Sequence, residues 1–234
     1  KVLIPSDSLE KISYHCSSVG RISGLPSLPN LQTLHWRFIN QHSNKITADL
    51  SFIQQYSRLQ SLTILFNNIE NETLHFLAEL PLLKEFHFSP FHSFLQNGLP
   101  NLTKLEKISL SFDERTVLTS EHIRDFLRKN QNLKTLSLSL SIQQIAAILE
   151  DPCLSQIEQL GLQFRKSESQ GTEPATKIAQ ALRTHRSIQE LSIELEYSPP
   201  EADTILLKEG LAQMNFLESL KLRFNSRKGG APQN

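Results

Sequence analysis

Cysteine is nearly absent from this chain of 234 residues, which holds only Cys16 and Cys153. Two cysteines cannot build a disulfide scaffold or a structural zinc site, so a reducing compartment, the cytoplasm, is expected. Glycine is sparse as well, at eight residues, leaving little room for a loop that cradles phosphate. Neither H-E-x-x-H nor G-x-S-x-G occurs. No apolar run approaches the roughly 20 residues that span a bilayer, and no signal-peptide core opens the chain. The first residue is Lys1 rather than Met, as in a processed or trimmed chain, so a removed signal remains compatible with the sequence. Net charge is absent too: 24 basic residues balance 24 acidic ones. A nucleic-acid role driven by counterion release needs a basic face and is not expected.

What the chain does have is a period. Hydrophobic residues make up 38% of it and charged residues 21%, as in a globular protein. In "LKTLSLSLSI", from Leu133, apolar and small polar residues alternate strictly, the signature of a half-buried strand. Its template, L-x-x-L-x-L-x-Φ with Φ apolar, starts at Leu9, Leu31, Leu59, Leu83, Leu105, Leu133, Ile157, Ile188 and Leu217. Subtracting consecutive starts gives spacings of 22, 28, 24, 22, 28, 24, 31 and 29 residues. Recurrence at this length marks a solenoid of stacked units.

Helical signals fill the later connections. Ile142, Ile145, Ala146 and Leu149 share one helix face by i, i+3, i+4, i+7 spacing, as do Ala175, Ile178, Ala179 and Leu182. Leu207, Gly210, Leu211 and Met214 form a third such face, and Ile123, Phe126 and Leu127 a shorter one. Ser141–Gln144 and Ser198–Glu201 read as capping boxes, and Pro174 sits near a first helical turn. The N-terminal connections, "SGLPSLPN" and "FHSFLQNGLPN", are too short or too broken for long helices, so turns or short helices are expected there.

Strand plus helix at this period resembles the leucine-rich repeat family over about residues 9 to 224. The longer repeats resemble its ribonuclease-inhibitor-like cytosolic type. The resemblance implies an α/β horseshoe, with a parallel sheet on the concave face and helices or turns on the convex one. It implies one domain over 1–226 with about nine repeats, and the polar stretch 227–234 is expected to be a disordered tail. The cysteine-rich caps usual in extracellular members are missing. The family's Asn or Cys, eight residues after the first Leu, is largely missing too. Those positions hold Ser17, Ile39, Asn67, Phe91, Asp113, Ser141, Arg165, Glu196 and Asn225. The position before them is mostly apolar (Cys16, Phe38, Phe66, Phe112, Leu140, Phe164, Leu195, Phe224), so a phenylalanine-rich spine is expected in place of a polar ladder.

The template also assigns the outward side chains, two, four and six residues after each start. The first four strands present Lys11, His15, His35, Arg37 and His87 with Glu85 as the one acid. The middle three present small or neutral groups apart from Lys107. Glu190 and Glu194 follow, with Glu196 just beyond, and then Lys221 and Arg223 on the last strand. Charge segregated in this way favours oriented docking of a complementary protein or peptide. An acidic partner should bind more tightly as pH falls through about 6.5, where histidine gains its proton.

No cofactor, metal or catalytic residue is expected. His15 and Cys16 are neighbours on a strand and so face opposite sides, the thiol inward. Three histidines spread over four strands do not meet the roughly 2.1 Å reach of a zinc ion. Glu72 and His75 lack the second copy a carboxylate-bridged metal motif needs, and Trp36 takes a core position. The sequons at Asn71 and Asn101 are three-residue matches and are read as chance. The expected function is therefore a non-enzymatic protein-interaction module. The Asn-, Gln-, Ser- and Lys-rich repeats resemble those of leucine-rich-repeat effectors of intracellular bacterial pathogens, which would place it in a host cytosol. Two alternatives follow from the resemblance. A GTPase-activating protein would use an arginine such as Arg115 or Arg165. The recognition arm of a ubiquitin ligase would need an F-box-like helical segment, which does not precede Leu9. The last strand's inward Leu220, Leu222 and Phe224 have no following repeat, so self-association, a partner or further sequence is expected to cover that edge.

Overall fold

The computed structural model describes residues 8–16, 27–38, 50–66, 74–90, 99–112, 119–164, 173–195 and 201–224. Each of the nine template starts is followed, two residues on, by a strand. The strands are β1 (Lys11–Cys16), β2 (Thr33–Phe38), β3 (Ser61–Phe66), β4 (Glu85–Pro90), β5 (Lys107–Ser111), β6 (Thr135–Leu140), β7 (Gln159–Phe164), β8 (Glu190–Leu195) and β9 (Ser219–Phe224). They are ordered in the sheet as in the chain, from β1 to β9. This is the α/β leucine-rich-repeat arrangement of strand, connection and parallel strand. The connections before β3 and β4 contain 3-10 turns, Ser51–Gln55 and Leu74–Glu79, whereas the stretches "SGLPSLPN" and "FHSFLQNGLPN" lie in large part outside the described residues. The later connections hold helices α1 (Ser120–Lys129), α2 (Ile142–Leu149), α3 (Glu173–Thr184) and α4 (Glu201–Ala212). By contacts the chain divides into two compact units, 1–136 and 137–234.

In the first unit β1 to β5 pair in parallel with equal template positions opposite one another: Lys11 with Thr33, Thr33 with Ser61, Ser61 with Glu85, and Glu85 with Lys107. The backbone enforces this register just ahead of each strand. The carbonyl of Glu10 accepts from the N–H groups of Gln32 and Thr33 at 2.8 and 2.9 Å. Gln32, Gln60, Lys84 and Glu106 repeat that double acceptance toward the next repeat. The inward side chains Leu34, Leu62, Ile64, Phe86, Phe88, Ile108, Leu110 and Phe112 are buried. Trp36 is core as expected, and Tyr14 and Phe52 pack on its ring.

A further buried position lies three residues before each template start from Leu31 to Ile188, and the template does not contain it. Leu28, Tyr56, Leu80 and Leu102 occupy it in the first unit, and their carbonyls accept from the N–H of the start residue at 2.9 to 3.3 Å. Asn130 takes the same place before β6 and is fully buried. Its Oδ1 accepts from the Leu102 N–H at 2.7 Å, and its Nδ2 donates to the Phe126 carbonyl at 2.6 Å. A buried amide is thus satisfied on both sides, as burial requires.

In the second unit β7 pairs with β8 and β8 with β9, again without stagger. The capping box at Ser141 is present: its Oγ accepts from the Gln144 N–H, and Gln144 Oε1 accepts from the Ser141 N–H. Ile145, Ala146 and Leu149 of α2 and Ile178, Ala179 and Leu182 of α3 are buried, the faces that helical spacing assigned. Of the third such face, Gly210 is buried and Leu211 and Met214 half-buried. The α3–α4 contact is close at one point. A Cβ on Gly210 would lie 2.9 Å from both Cα and Cβ of Ala179. His185, at the position equivalent to Asn130, is buried with Nε2 2.6 Å from the Leu149 carbonyl, so that nitrogen carries the hydrogen. The 227–234 tail, the Ser198 cap, Glu72 and the Asn71 sequon lie outside the described residues, as do the side chains of Cys16, Phe38, Phe66 and Phe224. Of the nine positions where the family keeps Asn or Cys, only Ser141 lies within them, and it serves as the α2 cap. Phe112, Leu140, Phe164 and Leu195, just before four of those positions, are buried as a spine would require.

Candidate functional site

Unstaggered parallel pairing turns the outward positions of the first unit into three rows. One row is Lys11, Thr33, Ser61, Glu85 and Lys107. The middle row is Ser13, His35, Thr63, His87 and Ser109, and the third runs from His15 through Arg37 and Leu65 to Ser89. His15 and Arg37 are register partners, whereas His35 and His87 are held apart by Thr63. Neighbouring strands lie about 4.8 Å apart, so the two middle-row histidines are separated by about 10 Å. Lys11, His15, Arg37, Glu85 and Lys107 are exposed, and His35 and His87 are half-buried.

The face is weighted toward positive charge. Glu85, its one acid, sits beside Lys107 in the register and accepts a hydrogen bond from Ser61 Oγ at 3.2 Å. Burial, then the charges of His35 and Lys107, hold the His87 imidazole below the ordinary histidine value. The geometry therefore keeps His87 neutral to a lower pH than residue type alone suggests. No cluster of three His, Cys, Asp or Glu side chains among the described residues is placed to hold a metal ion.

In the second unit the corresponding rows are Gln159, Glu190, Ser219; Gly161, Ser192, Lys221; and Gln163, Glu194, Arg223. Glu194 thus stands opposite Arg223. Gly161 lets this face approach β6 closely, since a Cβ there would lie 3.0 Å from Ser137 Oγ. Ser139, assigned outward by alternation, is instead buried at 4% exposure, so it belongs to no open face. On β9 the inward Leu220 and Leu222 are 45% and 41% exposed, and Phe216 ahead of them 56%. Lys221 and Arg223 alternate with them, charges of the kind that oppose edge-to-edge strand addition. Arg115 and Arg165 lie outside the described residues. Among those residues no helix is long and apolar enough to cross a membrane.

No family model matches the chain, and neither does any curated protein. Among solved structures, it is similar to an internalin from Listeria monocytogenes, at 14% identity and a TM-score of 0.38. That likeness covers 94% of this chain and 83% of the internalin chain.

Proposed function

We propose that this chain is a non-enzymatic recognition module that binds another protein, or a peptide segment of one, on the outward positions of its parallel strands. The observation that carries this is the first unit's face, where five adjacent strands bring Lys11, His15, His35, Arg37, His87 and Lys107 into register around a single acid, Glu85. A side chain needed only for solubility has no reason to be segregated by sign, and segregated charge steers encounter with a complementary partner. Glu190 and Glu194 of β8 and Lys221 and Arg223 of β9 are the contact residues of the second unit in this reading. The edge at Leu220 and Leu222 is where copies of the chain would meet if it self-associates. The finer assignment, an effector of an intracellular bacterial pathogen working in host cytosol, rests on composition and repeat type alone.

Affinity capture from cell lysate, with partners identified by mass spectrometry, tests the reading when repeated with Arg37→Glu. The variant should lose the captured protein, with affinity lowered on the order of tenfold and a weaker dependence on salt, at an unchanged melting temperature. Equal capture by both chains at low salt would remove this face from the function.

A further inference from the structure

Between β1 and β5 the cationic side chains other than Lys11 do not fill the rows evenly but follow a diagonal. It begins at His15 in the third row of β1 and ends at Lys107 in the first row of β5. Arg37 and His35 flank it on β2, Thr63 lies at its midpoint on β3, and His87 and Glu85 flank it on β4. With strands about 4.8 Å apart and same-face residues about 6.6 Å apart along a strand, the line is about 23 Å long, the reach of about seven extended residues. The flanking Thr63, Leu65, Ser89 and Ser109 are half-buried and of low relief, so a main chain can lie along it.

We infer that this diagonal takes an extended, carboxylate-rich protein segment, held more tightly as the histidines beneath it gain protons. The inference rests on the recognition reading above and specifies the partner's chemistry. Arg37 and Lys107 on this line, and Lys11 off it on β1, are permanent cations against one carboxylate, Glu85, which is the register neighbour of Lys107 and accepts from Ser61 Oγ. Three histidines can add to them, and that makes the charge of the face depend on pH. An acidic peptide can place a carboxylate on every second residue, at about the spacing that separates Arg37 from His35 along β2. A polynucleotide needs a denser array of permanent cations, and the balanced charge of the whole chain gives no support beyond the face.

The direction of the pH effect follows from what surrounds His87. From β2 it feels His35 and from β5 Lys107; β3 contributes Ser61, Thr63 and Leu65, which do not ionise, and its own strand contributes Glu85. Burial and those two positive neighbours hold its pKa down in the free protein. A carboxylate laid over the ring raises the pKa, so binding takes up a proton. Affinity therefore climbs as pH falls through the bound-state value and levels off below the free-state value.

The probe is fluorescein-labelled octa-aspartate, titrated with the full chain at low salt and followed by anisotropy at pH 7.5, 6.5 and 5.5. Octa-asparagine and an eight-residue oligothymidylate serve as comparison probes. Octa-aspartate should bind at least about fivefold more tightly at pH 5.5 than at 7.5, a gain of about 1 kcal/mol. Octa-asparagine should not bind, and the oligothymidylate should bind more weakly than octa-aspartate. The His35→Gln/His87→Gln double variant should flatten the pH profile while melting like the parent. Lys129→Glu, a reversal of charge on α1 away from this face, should leave the profile intact. A flat profile in the parent chain, no binding of octa-aspartate at pH 5.5, or equal binding of the oligothymidylate overturns the inference. If octa-aspartate fails while Arg37→Glu still loses its captured protein, only the partner's chemistry is wrong. If the capture is also indifferent to Arg37→Glu, the recognition reading falls with it.

Discussion

Asn130 stands where the preceding turns hold Leu28, Tyr56, Leu80 and Leu102, and its amide joins two repeats by a hydrogen bond. It ties the turn before β6 to the backbone of the turn before β5 and anchors the end of α1 through the Phe126 carbonyl. Asn132, two residues on, adds a second tie, Nδ2 donating to the Thr103 carbonyl at 2.6 Å. Removing the buried amide leaves the Leu102 N–H without a partner, worth about 1 to 3 kcal/mol, while the Phe126 carbonyl keeps the backbone N–H of residue 130 at 3.1 Å. Asn130→Ala should therefore lower unfolding free energy by roughly 1 to 3 kcal/mol. The reading is the denaturant midpoint at an unchanged m-value. Asn130→Leu, which matches the neighbouring repeats in volume, should recover little of that loss, because the shape returns and the hydrogen bonds do not. A near-neutral Asn130→Leu would mean that packing, not hydrogen bonding, is the role of this residue.

Strands were legible in the sequence because alternation over six residues leaves one face buried, and parallel pairing without stagger then stacks equal template positions. The candidate face inherits that legibility: which side chains point outward follows from counting. How deeply they sit does not, since His87 and Ser139 owe their burial to neighbours on other segments. The buried position three residues before the starts from Leu31 to Ile188 was missed for another reason. It falls in a turn, where no period of 2 or 3.6 operates, although its recurrent apolar residue was there to be found. The α1 cap was likewise overlooked; Thr119 Oγ1 accepts from the His122 N–H at 3.3 Å. Helix packing gives the clearest test at this scale. An alanine in place of a helical glycine ordinarily stabilises by about 1 kcal/mol. Gly210→Ala should instead destabilise by roughly 1 to 3 kcal/mol, because the new methyl would meet the Ala179 backbone and force α3 and α4 apart. A rise in melting temperature would show that the two helices can separate freely.

For the molecule as a whole, stability depends on having a neighbour on each side. Leu138 of β6 and Leu222 of β9 occupy the same template position, yet Leu138 is 1% exposed and Leu222 41%. Truncating the first, Leu138→Ala, should cost about 2 to 5 kcal/mol, the range of a fully buried leucine. Leu222→Ala, already half in water, should cost less than half as much. Chemical unfolding of both variants at low protein concentration makes the comparison. Equal losses would mean that the β9 edge is covered in solution, and a dependence of the Leu222→Ala loss on protein concentration would identify a second copy as the cover.

The carbonyls that each accept two N–H groups from the following repeat have a mechanical consequence. Among the described residues from β1 to β5, each strand is fastened to the strands before and after it in the chain, and the backbone bonds between repeats reach no further than the next one. Tension along the chain cannot be shared by distant parts of the sheet and falls on the outermost strand alone. As that strand peels away it frees one repeat of 22 to 28 residues, roughly 70 to 100 Å of slack at 3.3 to 3.6 Å per residue. The next strand then becomes the outermost and takes the load in turn. A force–extension trace of this unit would rise and drop once per repeat, a sawtooth with teeth spaced by repeat length.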